Sequence, residues 1–241
     1  AAGAIIHYLD ITEHRNIDHI RTLSRIEEEN YVWLDRYTVR NLELFSSSHE
    51  GARTLIDVVD HTYTPMGSRM MRRWLALPLK NVKPVNDRLC IVETLINNES
   101  LLSSIEDNLK RICDLERIIS RVATLRILPR EVVQLKLALE ALVPIKNICE
   151  SSENNALRII GDQINPCSSI IEKITSEINS DPPNQLNKGG VIAEGINKEL
   201  DELRSIVYSG KDYLIKMQIR EEERTGIPKI KIAFNSVFGY Y

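Results

Sequence analysis

The sequence predicts a mainly α-helical fold: a multi-helical core carrying one long helix, with a few short β-strands near the start and at the C-terminal end. Three observations predict it. Aromatic residues are only 5% of the chain while Leu and Ile abound, which favours helices packed through aliphatic ridges over a sheet sandwich. From about residue 52 to 180, apolar residues recur three and four apart between Pro, Asn and Gly breaks. Near the C-terminus, one such pattern runs unbroken for three heptads.

Taken in order, Ile5 and Leu9, then Ile17 and Ile20, predict an opening helix and its exit, with a charged run between. Tyr31-Val32-Trp33-Leu34-Asp35 is aromatic, β-branched and short, and predicts an early strand. Thr38 is placed to cap a following helix through Val39, Leu42 and Phe45, ending at the Ser46-Ser47-Ser48 loop. Pro65, Pro78, Pro84, Pro129, Pro144 and Pro166 mark expected joints between helices. One stripe aligns Leu101, Ile105, Leu109, Ile112, Leu115, Ile119 and Val122, and predicts a single helix. A second helix starts at Pro129 and lines up Val132, Leu135, Leu139 and Leu142; a third stripe runs Ile170, Ile174, Ile178 before Asp181-Pro182-Pro183.

Ile196, Leu200, Leu203, Val207, Gly210, Leu214 and Met217 follow alternating steps of four and three, an a/d seam that expects a partner. A helix from Asn197 to Thr225 would be roughly 43 Å long at 1.5 Å per residue. Gly226 and Pro228 would end it. Lys229 to Asn235 then alternates with Ile230, Ile232 and Phe234 on one face, and predicts a strand. A long helix with a one-sided seam, followed by a strand without partners, reads as part of a larger structure.

The composition restricts the chemistry. With 31 Lys and Arg against 34 Asp and Glu, the net charge of −3 gives no chain-wide attraction to nucleic acid, so any such contact is local. The four cysteines include no C-x-x-C pair, and the five histidines no H-E-x-x-H, so no metal site is expected. Gly190 and Gly195 have the spacing of a phosphate-binding loop, but Ile196-Asn197 stand where Lys and Ser/Thr are required; the segment reads as a turn into the long helix. No nucleophile motif occurs. No apolar run approaches the ~18 residues of a membrane span, so no membrane contact is expected. In Arg69-Met70-Met71-Arg72-Arg73-Trp74, three arginines beside a Trp are able to grip phosphate. The stronger reading places Met66, Met70 and Trp74, four apart, as a structural core stripe, with the arginines turned outward or paired to acidic helices. Lys229, Lys231 and Asn235 share a strand face and are weak DNA-binding candidates, able to meet a phosphate backbone.

From Leu55-Ile56-Asp57 through Thr64-Pro65-Met66-Gly67-Ser68-Arg69 to Arg73-Trp74-Leu75, the chain closely resembles the core domain of the MutS family of DNA mismatch repair proteins. Further stretches agree in order: Leu34-Asp35 to Glu43, Gly189-Gly190-Val191-Ile192 to Asp201, and Arg220-Glu221 to Tyr240-Tyr241. The resemblance covers essentially the whole chain. It implies a fragment in which residues 1–30 are the tail of a connector domain, 31–185 the helical core, 186–226 an ascending lever helix, and 227–241 the first strand of a clamp that holds duplex DNA. The seam's partner would be a descending lever.

The same resemblance implies what this stretch does not do. The family's Phe-x-Glu mismatch reader is absent, since none of Phe45, Phe234 or Phe238 has Glu two residues on. The ATP and magnesium site of the intact protein would lie elsewhere, so this stretch is expected to carry no catalytic residue, metal or cofactor and not to be an enzyme. The intact protein would bind mismatched double-stranded DNA, a second MutS subunit and a MutL-type partner, in the cytoplasm at the nucleoid. Two alternatives belong beside this reading: a helical protein-interaction scaffold, and a MutS relative acting on recombination intermediates.

Overall fold

A computed structural model describes residues 2–13, 20, 22–23, 28–228, 230–232, 234–235, 237 and 239–241. They form two compact units, Ala1–Val191 and Ile192–Tyr241. The expected helix exit around Ile17 lies outside the described residues.

The first unit holds ten α-helices among its described residues: α1 (Ala2–Ile11), α2 (Arg36–Asn41), α3 (Leu55–Val59), α4 (Pro65–Ala76), α5 (Val82–Asn97), α6 (Glu99–Leu109), α7 (Leu115–Ala123), α8 (Pro129–Glu150), α9 (Asn155–Gln163) and α10 (Ser168–Glu177). Helix α8 is the hub and packs against α6, α7, α9 and α10. Its Ala138, Ala141, Ile145 and Cys149 join Ile112 and Leu157 in the central apolar cluster, with Met66, Ile91 and Leu115 against its margin. Two fully buried alanines on α8 let neighbouring helices approach closely, since their side chains end at Cβ.

The predicted helical class holds, and several of its boundaries do not. The strand expected at Tyr31–Asp35 is a single bridge, Tyr31 to Leu79. Among the described residues it is extended by the Val32 N–H to the Pro78 carbonyl and the Lys80 N–H to the Asn30 carbonyl, and the chain then turns at Asp35 into a helix. The Asp35 carboxylate accepts from the N–H groups of Tyr37 and Thr38 at 2.7 and 2.9 Å, so Asp35 caps α2, three residues before the expected Thr38. Helix α2 then ends at Asn41, before Phe45.

The stripe from Leu101 to Val122 belongs to two helices. The chain turns after Leu109, and Asp114 caps α7 by accepting the Arg117 N–H at 3.2 Å. Pro144, expected at a joint, lies inside α8. Pro129 does open that helix, at its first turn, where a missing N–H costs nothing.

The second unit is α11 (Lys198–Thr225) and the segment after it. Asn197 caps the start by accepting the Leu200 N–H at 3.0 Å, and Gly226 ends it at φ +67, a left-handed cap that glycine adopts without strain. The predicted strand shortens to β1 (Phe234–Asn235), paired antiparallel with β2 (Gly239–Tyr240). Ladder bonds need a partner strand, and the described residues supply one for those two positions alone. No described helix is long and apolar enough to cross a membrane.

Candidate functional site

Two places concentrate the residues singled out by sequence: the start of α4, and the exposed face of α11.

At α4 the run Asp60 to Arg69 is a self-consistent helix start. The Thr64 hydroxyl accepts the Gly67 N–H at 3.0 Å, and Pro65 occupies the first helical position. A Cβ on Gly67 would stand 3.1 Å from Thr62 Cβ and Thr64 Oγ1, so any larger residue would have to displace these two threonine side chains by a few tenths of an ångström. Asp60 accepts from the Thr62 hydroxyl at 2.6 Å, from the Thr62 N–H at 3.2 Å, and from the Ser68 hydroxyl. One turn earlier Asp57 accepts from the hydroxyl and N–H of Thr54 at 2.7 and 3.0 Å, closing a capping box on α3.

These hydrogen bonds stabilise the ionised carboxylates. The Ser68 hydroxyl, then Thr62, holds Asp60 below its ordinary range; the Thr54 hydroxyl, then its N–H, does the same for Asp57. Asp114 is lowered chiefly by Arg69. A carboxylate lowered on folding contributes stability above its unfolded pKa, near 3.9, and loses that contribution as pH falls through the folded value. Thermal melts from pH 7 to 2.5 should therefore drop below about pH 4. Asp60→Asn should lower the melting temperature at pH 7 and flatten this acid limb; an unchanged limb would show that the cluster does not titrate with folding.

Two of the three arginines of the run, Arg69 and Arg72, are engaged within the unit. Arg69 donates to both Asp114 oxygens at 3.0 and 2.6 Å and to Glu116 at 2.7 Å, tying α4 to the start of α7 and remaining firmly charged. Arg72 lies over Phe45, 5.7 Å from the ring centre. Trp74 carries the Arg88 guanidinium at 3.5 Å. Arg69 thus pairs with an acidic helix, as the structural reading of this run expected. The core stripe needs correction. Met66 packs against the apolar cluster, but Met70 and Trp74 are 55% and 40% exposed. Helical spacing puts the three on one face, and that face is covered unevenly: Met66 reaches the apolar cluster, Trp74 meets Arg88 of α5, and Met70 between them is the most exposed.

On α11 the seam stands open. Leu203, Val207 and Met217 are 56%, 59% and 44% exposed, and Leu200 and Leu214 are half-buried. A Cβ on Gly210 would meet nothing within 4 Å. Ile196 lies two residues before the helix rather than in it, so the helical seam begins at Leu200. An apolar cleft of about 600 Å³ continues the seam, bounded by Gly210, Leu214 and Met217 on α11 and by Ile230, Ile232 and Tyr241 beyond it.

Of the three weak DNA-binding candidates, Lys231 is exposed. Lys229 and the Asn235 side chain lie outside the described residues.

Sequence reasoning missed the device that fixes the root of α11. Arg204 donates to Asp201 at 3.0 Å and to the Ile192 carbonyl at 2.7 Å, and Asp201 accepts the Gly195 N–H at 2.8 Å. The signal was present as an i, i+3 acid–base pair just past a glycine turn.

Comparison with known proteins now decides the family. The description MutS domain III matches residues 37–232. The chain belongs to the MutS domain III family. Proteins named DNA mismatch repair protein MutS from Bacteroides fragilis and Phocaeicola vulgatus are each 57% identical to it over its whole length, and one from Porphyromonas gingivalis is 48% identical. The chain spans about 28% of the length of the first two relatives. As a MutS domain III chain it places the Thr64-to-Arg69 run, which carried the resemblance, at a helix start whose bonds close on themselves. Its open surface lies along α11.

Proposed function

We propose that this chain is the core and lever portion of a MutS-type mismatch repair protein, coupling backbone grip on DNA by a clamp to a distant ATPase domain. The observation that carries the reading is α11: 28 residues of uninterrupted helix, rooted by Arg204 and capped by Gly226, with an a/d seam left open to solvent. A helix shorter than about 15 residues is marginal without packing along its face. One of this length with an unfilled seam is built to be half of a pair. In this reading residues 1–30 end a connector domain, 31–185 form the core, 186–226 the ascending lever, and 227–241 the start of the clamp.

The whole protein would bind mismatched double-stranded DNA, with Lys231, Lys229 and Asn235 as minor backbone contacts, and would act with a second MutS subunit and a MutL-type partner at the nucleoid. ATP and magnesium would be held in another part of it, leaving this stretch without catalysis of its own.

Leu203→Asp tests the lever role. Introduced into a full-length protein carrying this stretch, it places a carboxylate in the seam and should prevent DNA from stimulating ATP hydrolysis, while basal turnover persists. Stimulation equal to that of the unaltered protein would eliminate the lever assignment.

A further inference from the structure

The two units join where the sequence looks loosest. The first ends at Val191 and the second begins at Ile192, between a Gly189-Gly190 pair and Gly195, all at positive φ. Glycines in such a stretch are the usual candidates for a hinge, because they cross φ space at little steric cost.

The hydrogen bonds place the freedom elsewhere. Asn179, just after α10, donates through its side-chain amide to the Gly190 carbonyl at 3.2 Å and through its backbone N–H to the Val191 carbonyl at 2.9 Å. A little further on, the carbonyl of the fully buried Pro182 accepts from Arg130 of α8 at 2.9 Å, which fixes the stretch carrying Asn179 to the hub helix. From the other side, Arg204 of α11 donates to the Ile192 carbonyl at 2.7 Å, and Asp201 accepts the Gly195 N–H at 2.8 Å.

A peptide group is planar, so a held carbonyl also fixes the N–H of the next residue. The peptide planes joining Gly190 to Val191 and Val191 to Ile192 are therefore held within the first unit, and the plane joining Ile192 to Ala193 is held within the second. Between the last two planes only φ and ψ of Ile192 remain. Isoleucine is β-branched and restricted to negative φ, so even these two torsions have a narrow range.

We infer that Ile192 is the single articulation between the two units, with Asn179 and Arg204 as the clasps on either side of it and the glycines as fixed turns. Motion at the joint then passes through one Cα with no slack in the chain. The inference rests on these bonds and stands whether or not α11 is a lever.

Nuclear magnetic relaxation of the backbone amides of the 241-residue chain tests it. The order parameters of the Val191, Ala193 and Gly195 N–H groups should lie near 0.85, as in rigid backbone, and values below about 0.6 in the unaltered chain would overturn the proposal. Asn179→Ala should bring Val191 below about 0.6 and leave Gly195 rigid, whereas Arg204→Ala should loosen Ala193 and leave Val191 rigid. A variant whose own peptide plane stays rigid would overturn the clasp assigned to it. Ile192→Gly should keep all three N–H groups rigid while the amides of α11 relax with a shorter correlation time than those of α8, because glycine widens the range of the joint. Equal relaxation of the two helices before and after that substitution would overturn the articulation.

Discussion

Gly161→Val is expected to lower the unfolding free energy of the first unit by about 3 kcal/mol, the upper part of the ordinary range for overpacking. Helix α9 lies against the end of α8, and a Cβ at Gly161 would sit 3.0 Å from Cys149 Cβ, Glu150 Cγ and the Glu150 backbone nitrogen. The Glu150 side chain is able to swing away, but the backbone nitrogen belongs to the last turn of a 22-residue helix and moves only with that helix. Leu157, one turn before Gly161 on the same face of α9, is 4% exposed and sits in the central cluster with Cys149 and Ile145. Parting the helices to admit valine would therefore open contacts around Leu157 as well. Urea unfolding gives the comparison directly, with an unchanged slope showing that the native state lost stability rather than cooperativity. Gly210→Ala is the counterpart, since nothing lies within 4 Å of the added atom and helix propensity alone should raise stability by up to about 1 kcal/mol. A Gly161→Val chain as stable as the original would mean that α8 and α9 do not pack this closely.

Pro144→Ala should act in the opposite sense and stabilise the first unit by about 1–3 kcal/mol. Pro144 interrupts α8 between the buried Ala141 and Ile145, where its ring faces the Glu140 carbonyl and supplies no N–H to it. Alanine would restore that donor and remove the steric conflict. The gain is set below the full interior cost of proline because Pro144 is half-buried and loss of its ring contacts offsets part of it. Thermal melting of the variant decides the matter, and a lowered midpoint would show that the proline ring itself is required for packing of the hub.

Pro144 also shows where the sequence was legible. Pro129 and Pro144 carry the same local signal, but only Pro129 begins a helix, because the apolar face of Ala138, Ala141 and Ile145 pays for continuing through the second. Local chemistry was reliable at α11, whose Asn197 start and Gly226 stop match the observed ends. It misled where periodicity ran on across a break: the spacing from Leu109 to Leu115 is helical in pattern, and only the capping carboxylate of Asp114 reveals the turn. Asp35 hid in the same way behind a strand-like run. The Arg69 to Asp114 link joins positions 45 apart, and no local pattern announces it. Exposure was the least legible property. Spacing puts Met66, Met70 and Trp74 on one face but does not say how much of that face another helix covers.

A seam that repeats every seven residues does not run straight along a helix that turns every 3.6. It drifts about 20° per heptad, so from Leu200 to Met217 the apolar line of α11 winds roughly 50° around the helix axis. A companion in contact along the whole line has to coil with it left-handedly. Two such helices form a screw: sliding one past the other also twists it, and a turn imposed at the Gly226 end would reach the Arg204 root as axial travel.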